Sequence, residues 1–148
     1  MTDSEIMDNL KLIAIIQPNG NATIEEFDAE YWEEMPSYID AEHLDAFRTQ
    51  KLNLMSVKYG FGTDHITAWV DSDGYAKALE NNIIGEHIYG NAGILGDLIL
   101  TLEDAQFTPK SFESLETLEK IIADLGATVT LIDLDEPEDD DGRWDAWS

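Results

Sequence analysis

Cysteine is absent from this 148-residue chain, and its absence excludes a disulfide framework, a thiolate metal site and a cysteine nucleophile. Cations are scarce as well: eight lysines and arginines stand against 32 aspartates and glutamates, for a formal charge of −24. A field of that sign repels nucleic acid and anionic lipid and draws in basic protein surfaces over a Debye length of about 8–10 Å. Direct binding of DNA or RNA is therefore not expected. Long apolar runs are missing too. The two longest, Leu12 to Ile16 and Ile94 to Leu102, fall short of the roughly 20 residues that cross a bilayer, and Gly96 and Asp97 interrupt the second. Met1 to Asn9 carries Asp3, Glu5 and Asp8 where an export leader would be positive. These features predict a cytoplasmic protein with no membrane association, and they leave its oligomeric state open.

What is present suits a folded body. Hydrophobic residues make up 43% of the chain, enough for the core of one ordinary domain. The charge is not confined to a tail. Residues 133–148 hold eight acids and one base, so the remaining 132 residues still carry 24 acids against seven bases. The reading is an acidic α+β domain over 1–134, followed by an acidic, tryptophan-containing tail over 135–148 that is disordered when free.

Leu10 to Gln17 is apolar and β-branched and stops at Pro18-Asn19-Gly20-Asn21. Ala22 to Phe27 then reads as the returning strand of a hairpin. One or two short helices are expected between Asp28 and Gln50, because Phe27, Tyr31, Met35 and Tyr38 recur at fours and threes while Pro36 breaks a single long helix. Lys51 to Tyr59 and His65 to Val70 read as a second hairpin turned by Gly60 and Gly62. Asp71-Ser72-Asp73-Gly74 closes it, and Tyr75 to Ile88 fits neither period. Ile94 to Leu102 is another strand. The best-defined element is an amphipathic helix near 111–125, capped by Ser111 or Ser114, with Phe112, Leu115, Leu118, Ile121, Ile122 and Leu125 on one stripe and Gly126 at its end. Ala127 to Leu134 supplies a last strand. Helices and strands do not alternate regularly, so a mainly antiparallel sheet is expected rather than a parallel doubly wound one.

Catalytic and metal-binding patterns fail on spacing. In Asp71-Ser72-Asp73-Gly74 the glycine comes fourth, whereas a calcium loop needs it sixth; moving the frame puts Trp69 at position one, and the same frame on Gly142 puts Pro137 there. His43, His65 and His87 are isolated in sequence. Neither a nucleophile elbow, a phosphate-binding glycine loop nor a paired-histidine metalloprotease motif occurs. No cofactor, no metal and no catalytic residue is assigned.

One stretch stands out. Between residues 25 and 45 lie Glu25, Glu26, Asp28, Glu30, Glu33, Glu34, Asp40, Glu42 and Asp45 without a lysine or arginine, interleaved with Tyr31, Trp32 and other large residues, more than one helical stripe needs. Two readings stand. In one, the carboxylates take the places of nucleic-acid phosphates and the aromatics anchor in a partner's groove; in the other, a solvated face covers core aromatics. The tail repeats the theme with Asp139, Asp140 and Asp141 ahead of Trp144 and Trp147, which either dock on a partner or fold back on the body. A third explanation of the charge is solubility or a salty cytoplasm.

Asp71-Ser72-Asp73-Gly74, Asn81-Asn82, the run from Gly90 to Leu100 and Ser114-Leu115-Glu116 together resemble a family of uncharacterised small proteins of phages and mobile elements. The resemblance implies a phage or plasmid protein acting inside a bacterial cell, where small acidic proteins often inhibit defence nucleases. The expectation is a non-enzymatic inhibitor whose partner is a basic nucleic-acid-binding protein of the host. The alternative is a small-ligand protein or enzyme with a pocket among the glycines of 85–97, using Asp71, Asp73, His87 or Asp97.

Overall fold

The computed structural model describes residues 10–90 and 93–134. Strand β1 (Leu12–Ile16) and β2 (Asn21–Glu26) form the expected hairpin, in which Leu12 faces Glu26 and Ile16 faces Ala22. Gly20 makes the turn with φ +92°, a backbone setting that a side chain would resist. Every residue of β1 is buried, so it reads as a continuous apolar run rather than an alternation.

Five further strands complete the sheet: β3 (Leu44–Phe47), β4 (His65–Asp71), β5 (Leu98–Glu103), β6 (Pro109–Lys110) and β7 (Thr128–Asp133). Their order is β3-β4-β5-β1-β2-β7, with β6 pairing the far end of β5. All pairings are antiparallel except β2 with β7. The fold is thus α+β with a mainly antiparallel sheet.

Three α-helices, α1 (Gln50–Lys58), α2 (Ile83–Tyr89) and α3 (Leu115–Asp124), cover one face. Leu52 and Met55, Ile84 and Ile88, and Leu118, Ile121 and Ile122 pack there against Leu12, Ala14, Ile16, Ile24, Ala68 and Leu100. For α3 the cap is Ser114, whose Oγ accepts from the Thr117 N–H at 3.2 Å, and Gly126 follows it with φ +91°. The other face is covered by a 3-10 segment, Ala29–Ile39, whose Met35 is buried against Ile13, Ile15 and Ile99 with Phe27, Tyr38 and Trp69 around it.

Three expectations are corrected. Lys51 to Tyr59 is helix α1, not a strand: Thr49 caps it by accepting from the Leu52 N–H at 3.2 Å, and Leu52, Met55 and Ser56 share a buried face at helical spacing. The partner of β4 is consequently β3, from the stretch read as helical, and α1 is inserted between the two strands. The strand read as Ile94 to Leu102 begins only at Leu98, because the Gly96 N–H is held by the Glu80 carbonyl at 2.6 Å and the Ile94 carbonyl accepts from the Asn82 N–H at 2.7 Å. Asn82 fixes this irregular segment further. It donates its side-chain amide to the Ile16 and Gly96 carbonyls and caps α2 through Oδ1.

Candidate partner-binding surface

The acidic stretch leaves β2 and crosses the second face of the sheet as the 3-10 segment. Its entry is tightly fixed. Asp28 caps the segment by accepting from the Glu30 N–H at 3.0 Å and pairs with the Lys11 ammonium at 3.2 Å, while Ser111 Oγ accepts from the Ala29 N–H and donates to the Phe27 carbonyl, both at 2.8 Å. The Glu30 N–H, with Lys11 adding to it against partial burial, holds the Asp28 carboxyl below its usual range. Asp28 thus keeps its charge and is paired with Lys11 at the entry to the segment. The segment kinks at Tyr31 and stops at Asp40, whose φ is +57°.

Between these points the aromatics divide. Phe27 and Tyr38 meet edge to face at 5.1 Å between ring centres and pack on the core, whereas Tyr31 and Trp32 are 62% and 48% exposed. Glu30, Glu33 and Glu34 flank them, all exposed, and form no ion pair with a described residue. Tyr31 and Trp32 share a shallow depression with these three glutamates.

The remaining candidates spread away from this centre. Glu25 and Glu26 are half-exposed on β2, and Asp40, Glu42 and Asp45 are exposed on the way to and within β3. Glu26 pairs with Leu12 and Asp45 with Val70, both of the helix-covered face, so the structure places these two acids on the opposite side of the sheet from the 3-10 segment. Asp139, Asp140, Asp141, Trp144 and Trp147 lie outside the described residues. A second group of acids, Glu113, Glu116 and Glu119, is exposed around α3, where Lys120 pairs with Glu116 at 3.5 Å.

Two concave features accompany the strip. A cleft of about 390 Å³ lies between Tyr59, Phe61 and the start of α3, and Lys110 and Asp64 pair in its wall at 3.0 Å. An open groove of about 490 Å³ lies among Asp45, Phe47, Asp71, Tyr75, Asn81 and Leu95. Of the residues expected to line a pocket, this groove includes Asp71 but not Asp73, His87 or Asp97. His87 instead meets the Lys51 ammonium at 2.8 Å, and burial pushes the Asp97 carboxyl up. Sequence reading missed Asp45 and Asn81 as neighbours, since only the β3–β4 pairing and the bridge between Asn81 and Leu95 bring them to one place.

Among the described residues no cluster of His, Asp or Glu is arranged to hold a metal ion, and no helix is long and apolar enough to cross a membrane. No family model, no curated protein and no solved structure matches the chain.

Proposed function

We propose that the protein is a non-enzymatic inhibitor, carried by a phage or plasmid and acting in the bacterial cytoplasm. It occupies the nucleic-acid channel of a basic host protein such as a restriction or CRISPR nuclease. The observation that carries this reading is the centre of the strip, where Glu30, Glu33 and Glu34 surround two exposed aromatics and no described cation pairs with them. A folding role for that arrangement is hard to find: like charges on one short segment repel, and solvent-exposed aromatic area stabilises nothing in the free protein. Against a basic groove both features become favourable, since aromatics anchor interfaces while surrounding charges steer association and fix register.

The tail adds charge that acts over a Debye length.

The localisation is tested by charge reversal. Glu30→Lys, Glu33→Lys and Glu34→Lys together weaken the complex with the partner by well over about tenfold, as expected for central charges, whereas Glu113→Lys, Glu116→Lys and Glu119→Lys change it little. Equal losses from both triples would mean that charge is felt globally and that the strip is not the contact.

A further inference from the structure

The two ends of the sheet are finished differently. At one end, β3 is four residues long and carries Asp45, exposed, in its middle. At the other, β7 runs for six residues, Thr128-Val129-Thr130-Leu131-Ile132-Asp133, with no charge before Asp133 and no proline. Charge, proline and short length are the usual devices that keep an edge strand from pairing, and they are missing from the first five residues of β7. Burial explains an uncharged strand elsewhere in the sheet, since β1 is buried throughout, but five of the six residues of β7 are exposed.

The inner side of β7 pairs with β2, and no described strand takes its outer side. The register shift against β2 falls early, between Ala22 and Thr23, so Leu131, Ile132 and Asp133 stand in regular register opposite Thr23, Ile24 and Glu25. Leu131 is 54% and Ile132 39% exposed, on opposite faces of the sheet.

We infer that the outer edge of β7 pairs antiparallel with β7 of a second copy, joining two sheets into one across a two-fold axis. Charge selects this occupant. A body with a net charge of −24 repels its copies wherever acids face one another, and the first five residues of β7 form an exposed stretch that holds none. A basic partner strand, by contrast, would meet a carboxylate only at Asp133. With Leu131 of one copy opposite Leu131 of the other, Asp133 stands across from Val129. The two Asp133 residues then lie about 13 Å apart along the strands, beyond a Debye length at moderate salt. The outer N–H and C=O groups gain ladder partners, and the two leucines meet as a cross-strand pair. Such a contact is self-complementary, so it closes at two copies instead of growing into a filament. Antiparallel pairing keeps like faces on one side, and the dimer presents both 3-10 segments in the same direction. This inference does not depend on the strip acting as a nucleic-acid mimic, because the composition and exposure of the edge carry it.

The test is sedimentation of the full chain over a range of protein and salt concentrations. Raising sodium chloride from about 0.01 M to about 1 M shortens the Debye length from about 30 Å to about 3 Å. With repulsion screened, the dimer should tighten by about tenfold or more, the opposite of the salt response expected when the strip meets a basic partner. Leu131→Asp sets two carboxylates against each other on the axis and should leave only monomer, with a melting temperature near the native one because the side chain is exposed. Leu54→Asp adds the same charge on α1, at a position 63% exposed, and should leave the dimer constant within about twofold. Hydrogen exchange supplies a readout that needs no variant: amides between Val129 and Asp133 should gain protection as protein concentration rises. A native protein that stays monomeric at every salt concentration would overturn the proposal. So would loss of the dimer in both variants, or protection of β7 that is independent of concentration, the sign that residues of the same chain cover the edge.

Discussion

Arg48 grips Glu103 through two parallel hydrogen bonds, Nε to Oε1 at 2.6 Å and Nη2 to Oε2 at 2.7 Å, while the Glu103 side chain is 1% exposed. The carboxylate sits on the second face of the sheet, where Thr67 also donates to it at 3.1 Å. Phe107 covers the pair from outside, its ring 5.0 Å from the guanidinium carbon. This is one of only eight cations in the chain, and its bidentate geometry is available to arginine alone.

Removing that partner strands a buried charge. Arg48→Met should cost about 2–3 kcal/mol in urea unfolding, below the 3–5 typical of fully buried pairs because Arg48 is 42% exposed and water screens it. Arg48→Lys should fall between the variant and the native protein. Replacing both residues, as Arg48→Met with Glu103→Leu, should recover much of the loss.

Gly85 is required for a steric reason rather than a conformational one. A Cβ at this position in α2 would lie 2.3 Å from Ile94 Cγ2 and 2.6 Å from Ile94 Cβ. Gly85→Ala should therefore destabilise by about 1–3 kcal/mol or more despite alanine's better helix propensity. The same substitution at Gly90, which has open space but φ +93°, should cost less, and denaturant midpoints compare the two directly.

Two aspartates respond to pH with opposite signs. Burial pushes Asp71 up, but the Lys77 ammonium and the Asp73 N–H outweigh it and hold the carboxyl below its usual value of 3.8. The ion pair thus adds stability above that pH, and the contribution is lost as pH falls through the lowered folded value. Lys77→Met should lower stability at pH 7, and the difference from the native protein should close on acidification.

Asp97 runs the other way. Burial alone raises its carboxyl above 3.8, so the unfolded chain gives up that proton first and stability falls as pH rises through the window above 3.8. Asp97→Asn should raise the melting temperature at pH 7, with the gain vanishing below the usual carboxylate value. A melting series of the variant and native protein from pH 3 to pH 7 decides it.

Much of the scaffold was legible because local signals agreed. Pro18 to Asn21 announced the hairpin, and Ser114, the 115–125 stripe and Gly126 announced α3. Lys51 to Tyr59 misled because Leu52 and Leu54 alternate like a strand while Leu54 and Val57 are in fact exposed, at 63% and 76%. Only tertiary packing of Leu52 and Met55 against β4 settles the helix. The acidic strip was visible in composition, yet the pairing of Asp28 with Lys11 and the sorting of Tyr31 and Trp32 outward from Phe27 and Tyr38 depend on where the segment crosses the sheet. The groove was legible only in part: Asp71 and the glycine-containing stretch around Gly93 were expected at a pocket, whereas Asp45 and Phe47 join them only through the β3–β4 pairing.

The most direct test of the proposed inhibition is competition. The purified partner is loaded with a fluorescent oligonucleotide, and anisotropy is followed as the protein is added. One equivalent should displace the nucleic acid, with an affinity that falls steeply as salt is raised, and Tyr31→Ala with Trp32→Ala should raise the amount required by about tenfold or more. A ternary complex in which protein and oligonucleotide bind together, at any salt concentration, would contradict it.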